Sequence, residues 1–119
     1  MSEHVSWLLE LDVHPGKAGE LRTLMTEMVA ATEANEPGTL DYEWSVSGDD
    51  SSCHIFERYV DSAAAMIHAT TFGARFAERF LQVVSPTRLV LYGSPSPELA
   101  AALEGFSPVR MKSIGGFSR

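Results

Sequence analysis

The stretch of sequence that decides the fold is residues 40–60, which spell LDYEWSVSGDDSSCHIFERYV. Its first part alternates apolar and polar side chains, with Tyr42 and Trp44 on the apolar face, and this period of two predicts a half-buried β-strand. Residues 47–51 contain the Ser, Gly and Asp that suit a tight turn. Residues 53–60 then predict a returning strand, so the stretch as a whole predicts a β-hairpin.

Two short helices are predicted after the hairpin. Asp61 offers a side-chain oxygen that caps a helix start, and an alanine-rich helix over about residues 62–69 carries His68 on its last turn. The two threonines that follow are predicted to cap a second helix over about residues 72–83, which Pro86 would end. A histidine is therefore expected close to the aromatic side chains of the hairpin.

The rest of the chain completes the order of elements. Residues 5–13 alternate as a first strand, residues 17–35 place apolar side chains at the three- and four-residue spacing of a helix, and residues 87–92 predict a last strand. The order β-α-β-β-α-β predicts an α+β fold of the ferredoxin-like type, βαββαβ. Its four-stranded antiparallel sheet would carry the helices on one face.

The chain divides into a ferredoxin-like domain, residues 1–92, and a C-terminal extension, residues 93–119. In the extension Ser96 is predicted to cap a short helix that Gly105 ends. Residues 108–114 are predicted to form a fifth strand before a mobile tail. Because an extension of this size has little core of its own, we expect it to pack on the domain or on a partner subunit.

One face of the predicted sheet carries no helices. Leu8 and Phe56 lie on that face, and an exposed apolar face is usually covered by a partner. We therefore expect a homodimer formed by face-to-face packing of two sheets. The C-terminal extension would lie either on its own domain or across the interface.

Charge and composition limit the partners and the location. The net charge of −7 repels phosphate backbones and anionic lipids, so nucleic-acid and membrane-surface roles are disfavoured. Cys53 is the single cysteine, so no disulfide can form within the chain. The first residues lack the basic-then-apolar order of a signal peptide. We expect a cytoplasmic protein that binds neither nucleic acid nor membrane.

Three short strings resemble, in order and spacing, those of one protein family. They are residues 13–17, VHPGK; residues 36–43, EPGTLDYE; and residues 56–62, FERYVDS, followed by His68 and Phe72. Over about residues 5–92 the chain resembles the antibiotic biosynthesis monooxygenase family, whose members are small dimeric ferredoxin-like proteins.

The resemblance implies a dimeric α/β barrel and a quinol monooxygenase-like activity without a cofactor. Members of the family include enzymes that oxidise polyphenols or quinols with molecular oxygen and no metal or flavin, and others that degrade haem. The iron-ligating histidine of the haem-degrading members would fall near Ala77 and Glu78, which disfavours haem here. No spacing of His, Cys, Asp and Glu in the sequence resembles a metal site.

His68 is the predicted catalytic residue. A cofactor-free oxygenase needs a base, because a phenolate gives an electron to oxygen far more readily than the phenol does. An imidazole has an ordinary pKa of about 6.5, which suits that proton transfer at neutral pH. The alternative is a helix-end histidine that hydrogen-bonds the backbone or packs beneath the next helix.

The predicted substrate-binding residues are the aromatic side chains expected near His68. They are Trp7, Tyr42, Trp44, Tyr59 and Phe72. Together they would wall a flat pocket for a small aromatic substrate between sheet and helices, or they would form plain hydrophobic core.

Three functions stay open on the sequence. The first is a cofactor-independent monooxygenase that acts on a small aromatic polyphenol or quinol. The second is a non-enzymatic dimeric module that binds small molecules or serves in a stress response. The third is an isomerase or lyase that uses the same pocket for proton transfer alone.

Overall fold

Five strands form one mixed sheet in the computed structural model, which describes residues 3–119. They are β1 (Val5–Val13), β2 (Thr39–Val46), β3 (Ser52–Tyr59), β4 (Val84–Tyr92) and β5 (Val109–Met111). Their order across the sheet is β2-β3-β1-β4-β5, antiparallel except that β5 pairs parallel with β4. The predicted α+β ferredoxin-like order is confirmed. The four-stranded antiparallel sheet is corrected, because β5 adds a fifth, parallel strand at one edge.

Four α-helices accompany the sheet in the described part of the chain. They are α1 (Ala18–Asn35), α2 (Ser62–Arg75), α3 (Ala77–Val83) and α4 (Pro97–Leu103), and a short 3-10 turn (Glu104–Phe106) follows α4. Among residues 3–119, no helix combines the length and the apolar character that a membrane span requires. Met1 and Ser2, which belong to the N-terminal stretch considered for a signal peptide, lie outside the described residues.

The helix break after the hairpin lies later than predicted. The helix α2 continues through both threonines and ends at Arg75, so His68 lies in the middle of α2 rather than on its last turn. The predicted threonine cap was therefore wrong. The chain leaves the helical conformation at Phe76, a side chain anchored in the core.

Two predicted helix ends were also wrong. Pro86 lies inside β4, opposite Leu11, where the pairing of β1 and β4 shifts its register. A proline lacks the N–H that a regular ladder needs, so it is tolerated at such an irregularity. Gly105 lies inside the 3-10 turn, and Ser107 adopts the left-handed conformation that ends it, with φ of 49°. The predicted cap at Ser96 is confirmed, because its Oγ accepts a hydrogen bond from the backbone N–H of Leu99.

The core lies between the inward face of the sheet and the helices. Alternate residues of β1, such as Trp7 and Leu9, are buried, and so are the alternate residues of β3 that pair with them. This is the period-two pattern that the hairpin sequence predicts. One member of the buried set on β3 is Glu57, a charged residue with 4% exposure.

A close contact fixes the distance between the start of β2 and α2. A Cβ added to Gly38 would lie 2.6 Å from the Cβ of Ala64 on α2. The backbone N–H of Val60 also donates to the carbonyl of Gly38 at 2.9 Å. Because Glu36 precedes Gly38 by two residues, this contact sets how close Glu36 comes to the inner side of α2.

Gly38→Ala is expected to destabilise the protein by about 1–3 kcal/mol, because the added methyl group meets another Cβ that only a shift of α2 can move. The measurement is the free energy of unfolding in urea. Gly19→Ala is the matched control: Gly19 lies in α1, and a Cβ there would meet nothing within 4 Å. An equal loss of stability in both variants would contradict the contact's importance.

Candidate active site

A cavity of about 180 Å³ lies between the sheet and the helices. Its wall is mainly apolar, with Leu9, Ile55 and Leu89 from the sheet, and its ionisable side chains at neutral pH are Glu57 and His68. An apolar cavity of about 150 Å³ is large enough to hold benzene. The space therefore matches a molecule with one ring.

The sheet places three of the polar and aromatic side chains in one row. Glu57 on β3 pairs with Trp7 on β1 and with Tyr42 on β2, so all three point to the same inward face. Directly opposite pairs in an antiparallel sheet bring their side chains within about 5.5 Å of each other. This row forms the part of the cavity wall that faces α2.

His68 reaches down from α2 between two buried carboxylates. Its Nδ1 is 2.9 Å from Oε1 of Glu36, a hydrogen-bond distance. Its Nε2 is 3.3 Å from Oε1 of Glu57, longer than the usual N–H···O range. His68 is 7% exposed, Glu36 is 6% exposed and Glu57 is 4% exposed. The three side chains therefore interact away from bulk water.

Hydroxyl groups hold both carboxylates in place. The Tyr59 hydroxyl donates to Oε1 of Glu57 at 2.5 Å. The Thr39 hydroxyl donates to Oε1 of Glu36 at 3.1 Å. Because a buried carboxylate without donors would be strongly disfavoured, these bonds help to keep the two carboxylates beside the imidazole.

Burial and charge both change the proton affinities of this cluster. Burial raises the pKa of Glu57, although the charge of His68 and the hydrogen bond from Tyr59 act against it. For His68, burial alone would lower the pKa, but the hydrogen bond to Glu36 and the charges of Glu57 and Glu36 outweigh it and raise the pKa. Burial, with the charge of Glu57 second, raises the pKa of Tyr42 and Tyr59 far above neutrality, so both phenols stay protonated.

Four of the six residues predicted for the site lie in the cavity wall. They are Trp7, Tyr42, His68 and Phe72. Tyr59 lies behind the wall, with its ring 4.8 Å from that of Trp7 and 5.6 Å from that of His68. Trp44 packs edge-on against Tyr42 and Phe80 instead of facing the cavity.

Sequence reasoning missed Glu36 and Glu57. The sequence signal for Glu57 was its position in β3. It lies two residues from both Ile55 and Tyr59 and therefore shares their inward face. Arg58, its neighbour in sequence, lies on the other face and binds Asp41 at 2.6 Å. Glu36 gave no comparable signal, because it follows the last residue of α1 in a Pro-Gly turn.

The C-terminal extension completes the cavity. The helix α4 packs against α2, and the backbone N–H of Ser96 donates to the Ser62 hydroxyl at 3.0 Å. Leu103 and Phe106 then form part of the cavity wall. The extension therefore borders the same space as His68.

The positions named for a haem ligand, Ala77 and Glu78, are not among the residues that line this cavity. Glu78 is exposed in the first turn of α3, next to Ala77. Within residues 3–119, no three side chains of His, Cys, Asp or Glu are grouped as a metal site requires.

A family model described as antibiotic biosynthesis monooxygenase matches residues 5–72, which is more than half of the chain. The match covers β1 through the part of α2 that carries His68 and Phe72. A comparison with curated proteins finds none that matches.

Solved structures share the fold. MupZ from Pseudomonas fluorescens is 20% identical, with a TM-score of 0.86, and the alignment covers 99% of this chain and 96% of MupZ. SnoaB from Streptomyces nogalater, a cofactor-independent oxygenase, is 18% identical, with a TM-score of 0.66 over 80% of this chain and 96% of SnoaB. PA3566 from Pseudomonas aeruginosa is 22% identical, with a TM-score of 0.62 over 76% of this chain and 91% of its own. At these identities the likeness concerns the fold.

Proposed function

The chain belongs to the antibiotic biosynthesis monooxygenase family, and we propose that it is a cofactor-independent monooxygenase that oxidises a small phenol or quinol with molecular oxygen. The observation that carries this proposal is the buried His68, held between two carboxylates at the wall of an apolar cavity. Such a site can take a proton from a phenol that lies in the cavity.

The size and lining of the cavity support a one-ring substrate. The volume of about 180 Å³ leaves little room beyond a single ring with small substituents. Phe72 and Phe80 meet edge to face at 5.1 Å, and both line the cavity, so they present aromatic surface to a flat substrate. The substrate hydroxyl would point toward His68 and Glu57, the polar end of the cavity.

His68 is the proposed base. The hydrogen bond to Glu36 places a proton on Nδ1 in the neutral imidazole, which leaves the lone pair of Nε2 on the side that faces Glu57 and the cavity. Nε2 then accepts the phenol proton, and the two carboxylates stabilise the imidazolium that forms. A carboxylate that orients the far nitrogen of a catalytic histidine is a recurrent arrangement.

The oxidation that follows balances with oxygen alone. The phenolate gives electrons to O2, one oxygen atom forms a new C–O bond to the ring, and that carbon loses its hydrogen. The second oxygen atom leaves as water, with the phenol proton and the ring hydrogen. A phenol and O2 thus yield a quinone and water, in which the phenol is oxidised by four electrons and O2 is reduced by four.

A second candidate is an isomerase or lyase that transfers protons without oxygen. The observation that favours it is the same cluster, because a histidine with two carboxylates is a complete acid–base site. Oxygen consumption separates the two functions, since only the monooxygenase consumes O2. Tight binding of a phenol without any conversion would instead favour a non-enzymatic binding module.

Oxygen uptake with a panel of one-ring hydroquinones and phenols is expected to show turnover that His68→Gln lowers by about 10²–10⁴-fold in kcat. Glutamine is chosen because it can still hydrogen-bond the carboxylates, whereas alanine would leave two buried charges unpaired. The raised pKa of His68 also predicts that kcat increases as the pH rises through a pKa above the ordinary imidazole value of about 6.5, because Nε2 accepts a proton only when the ring is neutral.

His54→Gln is the matched control for oxygen uptake. His54 is an exposed histidine on the outward face of β3 and is expected to leave kcat unchanged. Full turnover in His68→Gln, with folding verified by circular dichroism, would contradict the role of His68 as the base.

The proposal includes a cytoplasmic homodimer formed through the outward face of the sheet. Phe56, Tyr92 and Met111 are 36%, 41% and 49% exposed on or beside that face, an apolar area that water disfavours. Phe117, in the C-terminal tail, is 81% exposed. The side chain of Phe117 would be buried against the partner subunit when the tail crosses to it.

Gel filtration is expected to give twice the 13.0 kDa mass of the chain. Phe56→Glu should shift the protein toward the monomer, because a charge would be buried in the interface. Ile67→Glu is the control, since Ile67 is 57% exposed on α2, away from the proposed interface. A wild-type protein at the monomer mass, or equal dissociation of both variants, would contradict the proposed dimer.

A further inference from the structure

Two spaces lie on either side of the hydrogen-bonded pair of His68 and Glu36, and Tyr42 borders both. Glu57 and His68 line the inner cavity, while Glu36, on the other side of the imidazole, lines a cleft of about 210 Å³. The cleft is also bordered by Glu33 and Thr39 at the surface end of α1 and β2. The pair of His68 and Glu36 therefore stands between an apolar cavity and a cleft of mixed polar and apolar lining.

We propose that Glu36 is a proton-exit residue that connects the inner site to solvent through this cleft. His68 Nδ1 is hydrogen-bonded to Glu36 at 2.9 Å, and His68 Nε2 lies 3.3 Å from Glu57 on the cavity side. Beyond Glu36 lies the cleft. A proton can thus leave the site while the substrate fills the cavity.

The path accounts for the protons of the proposed reaction. The inference rests on the proposed function only for the biological use of the path. Nε2 of His68 takes the phenol proton to form the imidazolium, and Nδ1 then passes its own proton to Glu36, which releases it to water in the cleft. The ring is then neutral, with an Nε2–H that donates a hydrogen bond to the phenolate oxygen. When water forms from O2, Nε2 gives up that proton, and Nδ1 regains one through Glu36, so no proton is gained or lost over the cycle.

The ionisable groups around His68 limit where its proton can go. His68 faces Glu36, Glu57 and the phenol rings of Tyr42 and Tyr59, both of which stay protonated. Glu36 accepts from the Thr39 hydroxyl, and Glu33 borders the same cleft. Glu36 is therefore the cleft-side carboxylate that hydrogen-bonds the ring and can pass its proton to water.

A simpler role for Glu36 would be to hold the imidazole in position. Glutamine in its place can accept the same Nδ1–H hydrogen bond through its amide oxygen, but it cannot accept the proton. Glu36→Gln therefore separates the two roles, because positioning survives the substitution and proton exit does not.

The experiment measures the exchange of the His68 Nδ1 proton with water, by saturation transfer in protein labelled with ¹⁵N-histidine. The chain has four histidines, so the signal can be assigned by substitution. We expect exchange to slow about tenfold or more in Glu36→Gln, because the proton acceptor is lost. Glu33→Gln, which removes a carboxylate from the same cleft, is expected to leave the rate unchanged.

A second control narrows the inner cavity. Gly73, an exposed residue of α2, lines its solvent side, and a Cβ there would meet nothing within 4 Å, so Gly73→Leu narrows the opening of the cavity without a clash. Exchange in Gly73→Leu should match the wild type. Unchanged exchange in Glu36→Gln, or exchange slowed as much by Gly73→Leu, would overturn the proposal.

Glu36→Asp serves if Glu36→Gln does not fold. It keeps a carboxylate on a shorter side chain, so exchange should be slower than in the wild type, and a wild-type rate would overturn the proposal. The readout needs no substrate. A failure to detect oxygen consumption would reject the proposed oxygenase reaction and leave the proton-exit result intact.

Discussion

The imidazole of His68 between the carboxylates of Glu36 and Glu57 is the interaction on which the site depends. Three ionisable groups are nearly buried together, and each would be costly alone: a buried carboxylate without a partner is disfavoured by several kcal/mol. Together they satisfy each other, with hydroxyl donors from Tyr59 and Thr39. The two carboxylates raise the pKa of His68 despite its burial, whereas burial itself raises the pKa of Glu57.

The fold assembles this cluster from three separate segments. Glu36 comes from the turn that follows α1, Glu57 from the inward face of β3, and His68 from the middle of α2. The close approach of Gly38 to Ala64 brings the first and third segments together. The hairpin register places Glu57 beneath them, in one row with Trp7 and Tyr42. The C-terminal extension then borders the cavity through Leu103 and Phe106, so a segment outside the matched residues 5–72 helps to define the space that a substrate would occupy.

Much of the fold was predictable from the sequence, because the hairpin and α1 have strong periodicity. The helix boundary was not: two threonines mid-helix resemble a cap, whereas the actual break at Phe76 depends on a side chain anchored in the core. The sequence predicts that Pro86 ends a helix, but a register shift in the sheet accommodates it within β4. For the site, His68 and the aromatic wall were predicted from residue type. The carboxylates were missed, because a charged residue on an inward strand position is informative only once its buried partner is known.

The most direct test of the account is the ¹⁵N chemical shifts of the two ring nitrogens of His68, followed by NMR across the pH range. We predict a pKa above the ordinary value of about 6.5, and a neutral form that carries its proton on Nδ1, because Glu36 accepts from that nitrogen. A pKa below about 6.5, with the proton of the neutral ring on Nε2, would contradict the account. His68 would then be a buried histidine that the carboxylates of Glu36 and Glu57 do not hold.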